Sequence, residues 1–301
     1  MSARLLRRSG LLRRSGLFWR AGLFRRSGLL IAGAASLALA AGLFAAPGSF
    51  SGYVASVTNT SNVSGTAPYF TCAGALAADR ASSLFTLPLN EPSNSTTAVD
   101  TDSGAYPGTY RGAMTTSTAT PIACSRDTGG AYVLNGSTSY VSTATSFANP
   151  QTFSLEIWFK TTVAGGKLIG FGSSQTGASG SYDRHLYIDS TGKLVFGTYN
   201  SATKTITSPS AVTDGAWHQA VATFSASTGM NLYLDGALVA SNSTYTVAQN
   251  FTGYWRIGYD SLSGWPNAPS NLFYTGSLRW ASVYSTVLTT TQIQNHYNAG
   301  R

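Results

Sequence analysis

From about residue 84 onward, apolar and polar positions alternate in short runs. In residues 152–160, Phe153, Leu155, Ile157 and Phe159 fall on one face, and Ser154, Glu156, Trp158 and Lys160 on the other. A period of two is that of a strand with one buried face. Similar runs occupy 167–171, 184–188, 193–199, 217–224, 230–234, 237–240, 255–259 and 276–285. Asp189–Gly192 and Asp235–Gly236 separate neighbouring runs. Glycine accepts positive φ without strain, so both read as hairpin turns. Near the end, Thr289 precedes Gln292 by three residues, a capping box that predicts a short helix over 290–298. The pattern predicts an all-β sandwich of two antiparallel sheets with one short C-terminal helix.

The other end reads differently. Residues 29–46 are apolar and uncharged. As a helix they extend about 27 Å, close to a bilayer core. They predict an N-terminal membrane-crossing helix, either a signal peptide h-region or a retained transmembrane anchor. Before them, residues 1–28 repeat a six-residue unit, as in Leu5–Gly10 and Leu11–Gly16. A six-residue period makes no single stripe on a helix. This Arg-rich leader stays cytoplasmic by the positive-inside rule, and the chain beyond residue 46 crosses outward. Residues 47–83, rich in Ser, Thr and Asn, read as a linker; residues 84–301 are the folded domain.

Charge narrows the partners. The net charge is +8, yet eight arginines precede residue 27 with no acid among them. The rest of the chain balances eleven Lys and Arg against eleven Asp and Glu. A nucleic-acid partner therefore loses its electrostatic support. The membrane is met through 29–46. Charged residues are only 10% of the chain and aromatics 12%, which suits a turn-rich extracellular β protein. The two cysteines, Cys72 and Cys124, both lie past the membrane segment. There they read as a disulfide, the alternative being two unrelated buried thiols. Without CxxC spacing they give no zinc signal.

Several ordered motifs resemble a family. Asp214–Val221 (DGAWHQAV) followed by Leu232–Gly236 (LYLDG) is similar to laminin G-like domains of the concanavalin A-like lectin/glucanase superfamily. Phe153–Trp158 matches the first long core strand, Leu288–Gly300 the closing helix, and Leu87–Glu91 with Asp100 and Gly108–Tyr110 the opening. The resemblance covers about 84–300 and implies a concanavalin A-like jelly roll. It says little of function, because the superfamily holds lectins, adhesion modules and hydrolases.

The family's glucanases use a Glu-x-Asp-x-x-Glu strand, whose carboxylates act as nucleophile and acid/base. Here the glutamates are Glu91 and Glu156, and Ile157 and Trp158 follow the latter. No catalytic residue is assigned, and the chain reads as not an enzyme. His218 lies inside the family's core motif and reads as a hydrogen-bonded core residue; His296 reads as packing or exposed. The resemblance also implies one calcium, with Asp100 as its opening ligand. The closing strand commonly supplies Ile-Asp-Glu, where this chain has Leu278, Arg279 and Trp280. No metal ligand is assigned, and calcium through Asp100 stays an open alternative.

Aromatic residues are the remaining lead. Trp158 and Trp217 match core positions. Trp265 lies in a turn-rich loop, where a flat indole can stack on a sugar ring. Tyr182, Trp265 and Tyr274 are the candidate ligand surface, with His185 beside them. The reading is an exported, non-catalytic binding module, secreted or at the cell surface, that takes a glycan or a protein partner. Its alternatives are a self-associating surface or envelope component and a divergent polysaccharide hydrolase.

Overall fold

A computed structural model describes residues 68–301 and, before them, the paired strands β1 (Val57–Thr58) and β2 (Val63–Ser64). The described residues belong to one compact unit, Ala55–Arg301. The expected leader (1–28) and membrane-crossing helix (29–46) lie outside the described residues. Among the described residues no helix is long and apolar enough to cross a membrane.

Helix α1 (Cys72–Ala78) comes first, then β3 (Ser83–Leu87), β4 (Thr97–Ala98), β5 (Gly108–Arg111) and β6 (Thr115–Ser117). Next are β7 (Ala131–Asn135), β8 (Tyr140–Thr143), β9 (Phe147–Ala148), β10 (Phe153–Lys160), β11 (Lys167–Gly172) and β12 (Tyr182–Ile188). Then follow β13 (Lys193–Tyr199), β14 (Thr203–Ala211), β15 (Trp217–Ser225), β16 (Gly229–Leu234) and β17 (Ala237–Asn242). The last are β18 (Thr252–Ile257), β19 (Thr275–Tyr284) and helix α2 (Thr290–Gly300). One sheet runs β17-β16-β15-β10-β19-β7-β6, with β3 also on β19. The other runs β14-β13-β12-β11-β18-β8-β5-β4, with β9 on β18. Within both sheets the paired strands are antiparallel. This is the expected all-β two-sheet sandwich with its short C-terminal helix.

The alternation in β10 decides where the core lies. Phe153, Leu155, Ile157 and Phe159 enter the core between the sheets, with Phe196, Phe224, Trp255 and Leu278. At roughly 25 cal/mol per Å², burying each such side chain stabilises by about 2 kcal/mol. The turns behave as their chemistry requires. Asp235 (φ 53°) and Gly236 (φ 76°) close β16 onto β17, the two positive φ values of a type I′ turn. The Thr289–Gln292 capping box forms, and its helix extends to Gly300.

Two expectations are corrected. The second face of β10 is not a solvent face: Ser154 and Glu156 are buried, and Trp158 is buried as its match to a core position implies. Helix α2 and the disulfide-bonded segment cover it. Trp158 packs with Cys72, Leu76, Trp280 and Ile293, and stacks on Tyr297. The linker expected over 47–83 gives way by Cys72 to helix α1. Thr71 caps it by accepting a hydrogen bond from Gly74 N, and its Ala75 and Leu76 are buried.

Candidate binding cleft

The loop between β18 and β19 folds back over the outer face of the β12–β13 hairpin. Val195, Gly197 and Tyr199 share that face by alternation. Gly197 leaves a gap that the Trp265 indole fills: a Cβ there would stand 2.2 Å from Cζ3 of the ring. Trp265 packs with Tyr187, Val195 and Leu262, flanked by Tyr182 and Tyr199. The Tyr182 hydroxyl donates to Ser263 O at 3.0 Å and Tyr187 to Pro266 O at 2.7 Å. Both tyrosines thus hold the loop from below.

Above this loop lies a cleft of about 310 Å³. Tyr182, Tyr199 and Trp265 form its aromatic walls, and Ser181, Thr203 and Gln249 supply polar groups. No Asp, Glu, Lys, Arg or His is among its lining residues. The volume sits at the small end for ligand sites, roughly 300–1,000 Å³.

The ionic groups lie beneath the surface, already engaged. The Asp183 carboxylate pairs with Arg184 and accepts from Gln249 N at 2.9 Å. That bond pins the segment carrying one cleft wall. Burial pushes the Asp183 pKa up, and the Arg184 charge works against that push. Asp260 accepts from Ser179 N, Ser179 Oγ and Ser261 N at 2.8–2.9 Å. It thereby ties the 173–181 loop to the 258–268 loop. Buried Lys167 stands 3.9 Å from Asp260; burial pulls its pKa down to about 7, against the pull of Asp260.

The four residues expected to form a ligand surface divide. Tyr182 and Trp265 come together on the cleft. Trp265 is only 5% exposed, so it is a largely buried wall of the cleft rather than a free platform. His185 is fully buried, with its ring edge-to-face to Trp265 at 4.5 Å. Burial, then the nearby Lys167 charge, holds its pKa well below 6.5. It supports the indole and does not reach the cleft. Tyr274 is corrected outright: it is fully buried, its hydroxyl donates to Lys160 O at 2.9 Å, and it belongs to the inter-sheet core. Tyr199, Thr203 and Gln249 were not foreseen as site residues.

The other candidates have structural partners. His218 bonds Asp235 (2.8 Å) and Asp214 (3.1 Å), and the Asp235 hydrogen bond raises its pKa. His296 is buried between Glu156 (2.8 Å) and Asp79 (2.9 Å). Glu91 accepts from Val99 N and the Tyr110 hydroxyl. Cys72 and Cys124 form a disulfide.

Asp100 does not fit calcium. Its carboxylate accepts from Thr86 N, Asp102 N, Ser103 Oγ and Tyr106 N at 2.9–3.2 Å. Four donors turn their positive ends to the oxygens that a cation would need. Cys72, Cys124 and Asp127 group their ligand atoms within 4.8 Å, but the two sulfurs are bonded to each other.

Comparison with known proteins places the fold. A family profile described as concanavalin A-like lectin/glucanases superfamily, laminin G type, matches residues 135–294. The botulinum neurotoxin serotype D/C binding domain is similar at 14% identity, TM-score 0.50, over 73% of this chain and 52% of that one. The receptor binding domain of the botulinum neurotoxin C/D mosaic serotype is similar at 16% identity, TM-score 0.50, over 72% and 51%. A heptameric pentraxin from Limulus polyphemus is similar at 18% identity, TM-score 0.40, over 52% and 73%. This chain spans about half the length of the toxin domains, and at these identities the likeness is one of fold. No curated protein sequence matches it. With more than half of its length matched by the profile, the chain belongs to the concanavalin A-like lectin/glucanase superfamily.

Proposed function

We propose that this chain is an exported, non-catalytic binding module that recognises an uncharged glycan at the Tyr182–Tyr199–Trp265 cleft. The lining carries the proposal: three aromatic side chains, hydroxyls and an amide, and no ionisable acid or base apart from the tyrosines. Sugar rings present C–H faces to aromatic surfaces and hydroxyls to neutral hydrogen-bonding groups. A carboxylated or sulfated ligand would find no cation in the cleft to offset its desolvation.

A non-catalytic role is supported by the glutamates, which are committed to the fold. Glu156 is buried and bound by Gln219, Tyr284 and His296; Glu91 is held by Val99 and Tyr110. Export, to the cell surface or beyond, is supported by the apolar 29–46 segment and by a disulfide suited to an oxidising compartment. In this reading 29–46 meets the membrane. Botulinum neurotoxin domains of the same fold are binding domains, one solved in complex with rat synaptotagmin II.

The test is an array of neutral and acidic glycans probed with the full chain and with Tyr199→Ala and Gln249→Ala. Binding to neutral glycans is expected, reduced at least about tenfold in each variant. Binding confined to acidic glycans, or unchanged in both variants, overturns the assignment. A chain that ignores all glycans but captures a protein through the same two residues replaces the ligand class and keeps the cleft.

A further inference from the structure

Arg279 is fully buried, and its guanidinium meets no carboxylate among the described residues' hydrogen bonds. It meets carbonyls instead. Nη1 donates to Ala123 O and to Cys124 O at 2.7 Å. Nη2 donates to Asp127 O (3.3 Å), Thr128 O (2.8 Å) and Gly129 O (3.3 Å). Five carbonyls of one seven-residue loop therefore converge on a single positive group.

The loop is bent to make this happen. Cys124 has φ 55° and Gly129 φ 82°. These left-handed positions fold the chain so that the carbonyl oxygens point inward. Five convergent carbonyl dipoles oppose one another, and buried carbonyls without partners are costly. Only a central donor or cation makes the arrangement stable. A planar guanidinium with five N–H groups matches several oxygens at once, which an ammonium cannot do.

The sheet aims Arg279 at the loop. The β10–β19 register shifts between Glu156 and Trp158. There Trp280 takes φ 51° and its N–H leaves the β10 ladder for Pro88 O. A bulge turns successive side chains away from strict alternation. Arg279 and Trp280 both end up in the outer layer beside Cys124.

We propose that loop 123–129 is a cation site whose permanent occupant is the Arg279 guanidinium. Inward-facing carbonyls are the ligands a hard metal ion takes from a loop. Here the positive charge is part of the chain, so the loop, and the disulfide anchored in it, hold their geometry at any calcium concentration.

Thermal unfolding of the full chain tests this. The wild type should have the same Tm in chelator as in millimolar calcium. Arg279→Ala should lose on the order of 10 °C, with part of the loss returned by millimolar guanidinium or calcium and none by tetramethylammonium, which is too large for the cage. A wild-type Tm that rises with calcium overturns the proposal, as does an Arg279→Ala variant that is unaffected or that tetramethylammonium rescues equally. Should Arg279→Ala fail to fold, Arg279→Lys and Arg279→Met decide. A cation site ranks lysine several degrees above methionine, and equal losses show that Arg279 only fills space.

Discussion

Gly197 sets the position of Trp265 more directly than any hydrogen bond does. The indole lies where a Cβ would be, 2.2 Å from it, so Gly197→Ala forces the ring outward into the cleft. Overpacking of this kind costs about 1–3 kcal/mol. Affinity for a cleft ligand should drop about tenfold, while far-UV circular dichroism stays that of the wild type. Unchanged affinity would mean that the Trp265 edge does not touch ligand. At this scale the chain was partly legible. A tryptophan in a turn-rich loop and a tyrosine at a strand start pointed to the cleft. Tyr274 did not belong with them, because loop residues close in sequence separate once one of them turns into the core. Tyr199 could have been found, since it shares a face with Val195 and Gly197 along the β13 alternation. Gln249 carried no such signal; Asp183, distant in sequence, holds its backbone at the cleft.

Among elements, the two helices matter most, because they bury the face of β10 that alternation marks as polar. Their joint is ionic. His296 of α2 bridges Glu156 on β10 and Asp79 at the C-terminal end of α1. Burial opposes its charge, but the two carboxylates outweigh burial and hold its pKa at about 10. The folded pKa is thus above the unfolded value of about 6.5. The stabilisation is complete below about pH 6.5 and is lost as pH rises through about 10. The same joint lowers the Asp79 pKa, chiefly through the His296 hydrogen bond, so that contribution falls away only in acid. Urea denaturation should therefore show a loss of a few kcal/mol between neutral pH and pH 10. His296→Gln should start less stable at neutral pH and show a flatter profile; a parallel decline in both proteins would place the titration elsewhere. The capping box of α2 and the Asp-Gly hairpin were readable because each is a local rule. Helix α1 was not read, although Thr71 followed by an Ala-rich run carried a cap and helix propensity. Its composition resembles a linker, and so short a helix depends on non-local partners, the covalent tie to Cys124 and the Asp79–His296 contact, to hold it.

At the scale of the whole molecule, that tie fastens the first helix to the sandwich. The disulfide joins residues 52 apart in sequence. It connects α1 to the loop gripped by Arg279, and the Asp127 carboxylate accepts from Cys72 N at 2.8 Å beside it. Two-sheet topology was legible from alternation and turns, because a sandwich core needs little beyond period two. The outer layer was not legible, because a 52-residue crosslink and a bulge-aimed arginine are non-local. Closing such a loop stabilises by about 4 kcal/mol through the unfolded chain. Cys72→Ala/Cys124→Ala should accordingly lower Tm by about 10 °C and raise proteolysis at α1 first. A wild-type Tm in the double variant would show that α1 docks without its crosslink. Both cysteines are buried, so reductant should act on the folded protein slowly and on the unfolded chain at once. The crosslink also reports compartment. Chain recovered from outside the membrane should resist thiol alkylation after denaturation, and chain trapped in the cytoplasm should accept two labels. Equal labelling of both pools would remove the disulfide's support for export and leave that reading to residues 29–46 alone.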